Sequence, residues 1–126
     1  MADYLSPDWL AELQAAASGV APQLAGSPAI VVQHEVGDPA GDVVFHVEMG
    51  PSGISVLPGP ADRPTVTFTQ DRATAAAITR GELSAQTAYI TGQLRVRGDV
   101  ATLAGTSPAL VALDDLFATV RERTTY

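Results

Sequence analysis

Residues 80–99 read Arg80-Gly81-Glu82-Leu83-Ser84-Ala85-Gln86-Thr87-Ala88-Tyr89-Ile90-Thr91-Gly92-Gln93-Leu94-Arg95-Val96-Arg97-Gly98-Asp99. Gly81 suits the left-handed stop of a preceding helix, and Ser84 to Ala88 reads as a short turn of helix. Ile90, Leu94 and Val96 then alternate with Thr91, Gln93, Arg95 and Arg97, the period of a strand with one apolar face. Gly98-Asp99 breaks that strand. Such quick switching of period belongs to a chain that mixes helices with a sheet.

Upstream, Ser6-Pro7-Asp8 supplies a capping hydroxyl, a proline for the first helical position and an acid at the positive end of the dipole. Leu10, Leu13, Ala17 and Val20 follow at helical spacing, with Gly19 or Pro22 as the stop. Ile30, Val32, His34 and Val36 alternate with Val31, Gln33 and Glu35. A turn at Gly37 to Asp42 leads to Val43, Phe45, Val47 and Met49, which alternate with Val44, His46 and Glu48. The pair reads as a hairpin with one apolar face. Ile54 to Leu57 and Thr65 to Thr69 complete four strands, expected to be antiparallel because their connections are short. Asp71 caps a helix through Ala73, Ala76, Ala77 and Ile78. Downstream of Asp99 a short helix is expected over Ala101 to Ala104. Ser107-Pro108 opens a last helix striped by Leu110, Leu113, Phe117 and Val120, with Leu116 widening the face. The fold class is α+β: a five-stranded, mainly antiparallel sheet with helices on one face, forming a single domain over residues 1–126.

Composition removes many chemistries. Among 126 residues there is no Cys, and the sequence also lacks Lys and Asn, so all 7 basic side chains are arginine. A thiolate nucleophile, a lysine Schiff base, a thiolate metal site and a disulfide framework are excluded. The missing A-rich codons suit a GC-rich genome, and an actinobacterial origin is expected. Against 14 acids the net charge is −7, which repels phosphate backbones and disfavours nucleic acid as a partner. No apolar run is long enough for stable membrane insertion and no leader is apparent, so a cytoplasmic location is expected.

Gly81, Leu83, Ala88, Tyr89, Gly92, Leu94, Val96, Gly98, Asp99 and Leu103 resemble the pattern of the sterol carrier protein domain, a family of small non-specific lipid-transfer proteins. The resemblance implies a five-stranded sheet with an apolar cleft or tunnel between sheet and helices. Its ligand would be a hydrophobic small molecule or lipid: a sterol, fatty acid, acyl-CoA or phospholipid. It implies no catalysis, no metal and no cofactor. Three features depart from many eukaryotic members. The chain is acidic, it ends Arg-Thr-Thr-Tyr rather than in a peroxisomal address, and the strand that often carries lysines has Gln93, Arg95 and Arg97.

An empty apolar void costs roughly 24 cal/mol per Å3, so about 300 Å3 of it would cost about 7 kcal/mol. Burying on the order of 400 Å2 of lipid returns about 10 kcal/mol before association costs. Such a cleft is therefore small, collapsible or occupied. Its candidate lining is Val47, Met49, Ile54, Val56, Phe68, Ile78, Leu83, Tyr89, Leu94, Val96, Leu103, Leu113, Leu116, Phe117 and Val120, each of which also serves ordinary core packing. The helical cover, built from Ala73, Ala76, Ala77, Ala85, Ala88, Ala101 and Ala104, carries little bulk; it either leaves room above the sheet or settles tightly onto it.

The polar candidates have bland alternatives. His46 and Glu48 share a strand face with Glu35 across the hairpin, and a solvated face is expected over a metal or acid–base site. His34 falls in the apolar register, where a hydrogen-bonded core histidine or a head-group anchor fits. Tyr89 is expected to pack in the core with its hydroxyl at the edge. Arg95 and Arg97 read as a solvated pair, and Trp9 as the side chain that packs the first helix onto the sheet. Two rivals remain: a fold relative with a closed cavity acting as a protein-interaction module, and a steroid-isomerase-type enzyme using Asp99 and Tyr89.

Overall fold

The computed structural model describes residues 2–20, 29–39, 41–51, 53–99, 101 and 115–125. Strand β1 (Ala2–Asp3) precedes α1 (Pro7–Val20), β2 (Ile30–Gly37), β3 (Val43–Gly50), β4 (Gly53–Pro58) and β5 (Val66–Asp71). Helices α2 (Arg72–Arg80) and α3 (Ala85–Ile90) lead to β6 (Arg95–Gly98), and β7 (Thr124–Thr125) ends the described chain. Residues 115–121 are helical between β6 and β7. Of the helix expected over 101–104, Ala101 is helical, and the rest falls outside the described residues, as do Leu103, Ser107-Pro108, Leu110 and Leu113.

The main sheet has the order β4-β3-β2-β5-β6. Three of its pairs are antiparallel, but β2 and β5 run parallel, with His34 beside Phe68. The expectation that the first four strands of this sheet pair antiparallel is corrected at β2–β5, while the sheet is mainly antiparallel as expected. The loop after β4 carries the chain to the far side of β2, so β5 enters in β2's own direction instead of extending the meander. The class nevertheless stands: a five-stranded mixed sheet with helices.

The alternation puts Ile30, Val32, His34, Val36, Phe45, Val47, Met49, Ile54, Val56, Val66 and Phe68 in the core, with Trp9, Leu13 and Ala17 of α1 packed over them. Ser6 caps α1, its hydroxyl accepting from Trp9 N at 3.2 Å. The helix also covers the edge of the sheet: Gln14 donates to Ile54 O at 3.3 Å and accepts from Val56 N at 2.7 Å. One side chain thus occupies two backbone groups of edge strand β4 that would otherwise invite another strand. The small parallel pair β1–β7, with Tyr4 N donating to Thr125 O at 2.8 Å, is a feature the sequence reading missed. Two-residue strands carry no period to detect.

Asp71 caps α2, accepting from Thr74 N at 2.7 Å; that backbone hydrogen bond, with one from the Thr74 hydroxyl, lowers its pKa. Gly81 ends the helix at φ 79°. The buried positions of α2 are Ala75 and Thr79, while Ala73 is exposed and Ala76, Ala77 and Ile78 are half-buried. Hence the alanine face expected to cover the sheet is rotated. Two polar contacts set the rotation: Thr79 bonds the Tyr4 hydroxyl at 3.2 Å, and Arg121 Nε donates to Thr79 O at 2.7 Å.

The fifth strand is shorter than its alternation suggests. Ser84 caps α3, which runs through Ile90, and Gln93 N and Leu94 N both donate to Ala88 O as the chain turns back. Ile90 therefore belongs to a helix, and its four-residue spacing to Leu94 fits either period.

Candidate functional site

Between sheet and helices the described structure has two different parts. At the centre, Trp9 and Phe45 are edge to face at 5.7 Å, Trp9 and Phe117 are stacked at 6.1 Å, and Tyr4 meets Trp9 edge-on at 4.9 Å. His34 stacks on Phe45 at 4.7 Å and meets Phe68 at 5.4 Å and Phe117 at 6.0 Å. Leu116, Phe117 and Val120, from residues 115–121, are all buried. Trp9 thus packs α1 onto the sheet, as its position suggested.

Toward β6 the cover thins. Phe68, Ala88 and Leu94 are buried, but Ile78, Leu83 and Val96 are only half-buried against the same core. Tyr89 is 51% exposed and Ile90 74% exposed. Tyr89 therefore does not pack in the core, a correction that follows from α3 being helical: with Ala88 turned inward, the adjacent residue points away. At the opposite end of β2, β3 and β4, a groove of about 320 Å3 is lined by Ala29, Ile30, Met49, Gly50 and Ile54 among others. Of the expected lining residues, Val47, Met49, Ile54, Val56, Phe68, Leu94, Leu116, Phe117 and Val120 belong to the buried core. Leu103 and Leu113 fall outside the described residues.

The expectation of a hydrogen-bonded core histidine at His34 fails at Nε2 among the described residues. The His34 side chain is buried, and desolvation lowers its pKa from 6.5 to about 4. The imidazole is neutral at physiological pH, and an unpaired buried polar atom costs about 1–3 kcal/mol.

The outer face of the sheet holds the second histidine. His46 Nδ1–H donates to Gly59 O at 2.8 Å, and Ala61 N donates to Gln33 Oε1 at 2.9 Å, so the segment after β4 is strapped over this face. His46 is therefore buried, against the expectation of a solvated face, while Glu48 beyond it is exposed at 3.8 Å from Nε2. Glu35 is not opposite His46, which pairs with Gln33. It accepts instead from Gln33 Nε2 at 2.9 Å and pairs with Arg97 at 3.1 Å. The expected arginine pair is thus divided, with Arg97 held by Glu35. Among the described residues no group of three or more His, Asp or Glu side chains is placed to hold a metal ion. Asp99 and Tyr89 are both exposed rather than set in an apolar pocket, which removes the geometry an isomerase would need. No helix among the described residues is long and apolar enough to cross a membrane.

Among the described residues, a five-stranded sheet with an apolar face under helices is the α+β architecture the motif implied. The sequence profile of the SCP-2 sterol transfer family matches residues 10–110. The chain belongs to that family. Its fold is a lipid-transfer fold. No curated protein matches the sequence significantly. Among solved structures, it is similar to a conserved hypothetical protein of Thermus thermophilus, described as a possible sterol carrier protein (TM-score 0.72, 20% identity, 100% of this chain and 93% of that one). Palmitated sterol carrier protein 2-like 2 of Aedes aegypti matches with TM-score 0.63 and 20% identity, over 89% of this chain and 94% of that one. Sterol carrier protein 2 of Yarrowia lipolytica in its apo form matches with TM-score 0.53 and 22% identity, over 60% of this chain and 66% of that one.

Proposed function

We propose that this SCP-2 family chain binds one hydrophobic small molecule, such as a sterol, fatty acid, acyl-CoA or phospholipid, between sheet and helices, without catalysis. The observation that carries this reading is the half-buried aliphatic surface of Ile78, Leu83 and Val96, continuous with the buried Phe68 and Leu94. Apolar surface joined to a core yet open at one side is where a ligand chain adds burial at about 25 cal/mol per Å2 without first unpacking the protein. The proposed lining is Phe68, Ile78, Leu83, Leu94 and Val96, extended inward by Val47, Val56, Leu116, Phe117 and Val120. Met49 and Ile54 join the groove at the other end of the sheet. The proposed carrier is a cytoplasmic single domain, which fractionation of the source cells checks.

Organic extraction of the purified chain followed by native and lipid mass spectrometry tests the proposal. One lipid per chain is the expected result. A chain with no co-purified lipid, and no thermal shift with fatty acids, sterols or acyl-CoA, overturns it.

The close ring packing of Trp9, Phe45 and Phe117 favours a second reading, a closed core whose surface serves protein interaction. Failure of every lipid probe together with specific capture of one protein partner would establish that alternative.

A further inference from the structure

The outer face of the sheet, away from the helices, carries a polar cavity that the lipid reading does not use. It encloses about 270 Å3 and is lined by Val31 of β2, His46 and Glu48 of β3, and residues 60–63 of the strap after β4. Alternation along β3 turns His46 and Glu48 to this face while Phe45 and Val47 enter the core, and strand pairing sets Val31 beside Glu48. His46 is 7% exposed. Its Nδ1 meets Gly59 O at 2.8 Å. A carbonyl oxygen only accepts, so the proton of the neutral ring is on Nδ1 and Nε2 is an acceptor. The strap thus fixes both the orientation of the ring and its tautomer.

Two acceptors then face one another at the cavity, with Nε2 lying 3.8 Å from Glu48 Oε1. One nitrogen atom placed at an ordinary hydrogen-bond length of about 2.9 Å from each bridges that gap. The bridging group must donate twice, and a positive charge favours it, because the carboxylates of Glu48 and Asp62 outnumber the Arg63 guanidinium in the lining. A primary ammonium, with three donors and no acceptor, meets both conditions. A carboxylate or phosphate would bring a third acceptor to the pair. Zinc sites use three or four protein ligands, and among the described residues no such group is assembled. Val31 and Ala61 offer apolar surface to a short carbon chain beside the charged end.

We propose that His46 and Glu48 form a binding site for a small primary amine on the outer face of the sheet. It is separate from the cleft between sheet and helices and stands or falls independently of the carrier reading.

The test titrates the full chain with 1-propylamine, tetramethylammonium and 1-propanol while the ring resonances of His46 are followed by NMR. A pH of about 8 lies above the ordinary range of an imidazole and below that of a primary amine. Tetramethylammonium carries the same charge with no N–H, and propanol carries a donor with no charge. Propylamine is expected to move the His46 Nε2 resonance saturably and to bind on the order of tenfold more tightly than either other probe, the effect of one charge-assisted hydrogen bond. Glu48→Gln, at an exposed position, keeps an acceptor and removes the charge; it should weaken propylamine by about tenfold as well. An equal response to tetramethylammonium means that the acidic surface merely attracts cations, and overturns the site. Binding of propanol as tight as that of propylamine, an unmoved Nε2 resonance, or an unchanged affinity in Glu48→Gln overturns it too. Should that variant fail to fold, the comparison of the three probes on wild type decides alone.

Discussion

The centre of the sheet–helix interface and its β6 end share one sheet and one alternating pattern, yet they are closed very differently. At the centre, Trp9, Val32, Val47 and Leu116 reach 0% exposure and aromatic rings fill the space. At the β6 end, buried Phe68 and Leu94 adjoin half-buried Ile78, Leu83 and Val96, with Ile90 at 74% exposure. The comparison separates two properties that hydropathy merges. Alternation along a strand selects the residues of the inner face, but the bulk of the helix above sets how deeply they are covered. α1 brings a tryptophan over β3. By contrast, α2 and α3 bring Ala75, Thr79 and Ala88.

The largest test of this contrast is Trp9→Ala, which removes a ring packed against Tyr4, Phe45 and Phe117. A loss of about 3–5 kcal/mol in denaturant unfolding is expected; a loss below about 1 kcal/mol would mean that the centre is not closed by rings.

Acid should open the same region. His34 has a folded pKa of about 4 against 6.5 unfolded, so the unfolded chain binds the extra proton between those values. The stability this contributes is fully present above pH 6.5, declines as pH falls toward 4, and amounts to on the order of 3 kcal/mol. Unfolding free energies measured across that window should slope downward with acidity in wild type and lose this component in His34→Phe.

The β6 end depends on backbone approach instead. Gly98 has φ 106°, and a Cβ there would sit 2.5 Å from Thr65 O. Gly98→Ala is expected to cost about 2 kcal/mol and to weaken amide-exchange protection of β6 before that of β2. Uniform loss across the sheet would erase the distinction between the two ends.

Ile90→Ser should change stability by no more than about 0.5 kcal/mol, since the side chain adds little to the core. A cost above about 1 kcal/mol in thermal unfolding would show that α3 is covered after all.

Much of this architecture is legible in residue order. The caps at Ser6 and Asp71, the glycine stop at Gly81, the alternation through β2, β3 and β5, and Trp9 as the anchor of α1 all rest on local physics, within a turn or a pair of strands. The errors lie where distant segments decide. Nothing local tells that β5 pairs parallel with β2, because the segment after β4 is short enough for a meander and long enough to cross. Ile90 reads as the start of a strand's apolar face because its spacing to Leu94 and Val96 fits that period, while hydrogen bonds to Ala88 O close a helix there and leave Tyr89 exposed. The cover over His46 comes from Gly59 and Ala61, two residues of a loop with no periodic signal.

The candidate site divides in the same way. Sequence alone determined the class of chain, through missing cysteine and lysine, an acidic balance, and the motif from Gly81 to Asp99 that the family profile matches. It also determined the inner face, because side-chain direction in a strand has a period of two regardless of what covers it. Only the tertiary structure decided how that face is covered: rings over His34 and Phe45, and small side chains near β6. Burial and hydrogen-bond satisfaction are properties of the packed surroundings, and those surroundings come from residues far apart in the chain.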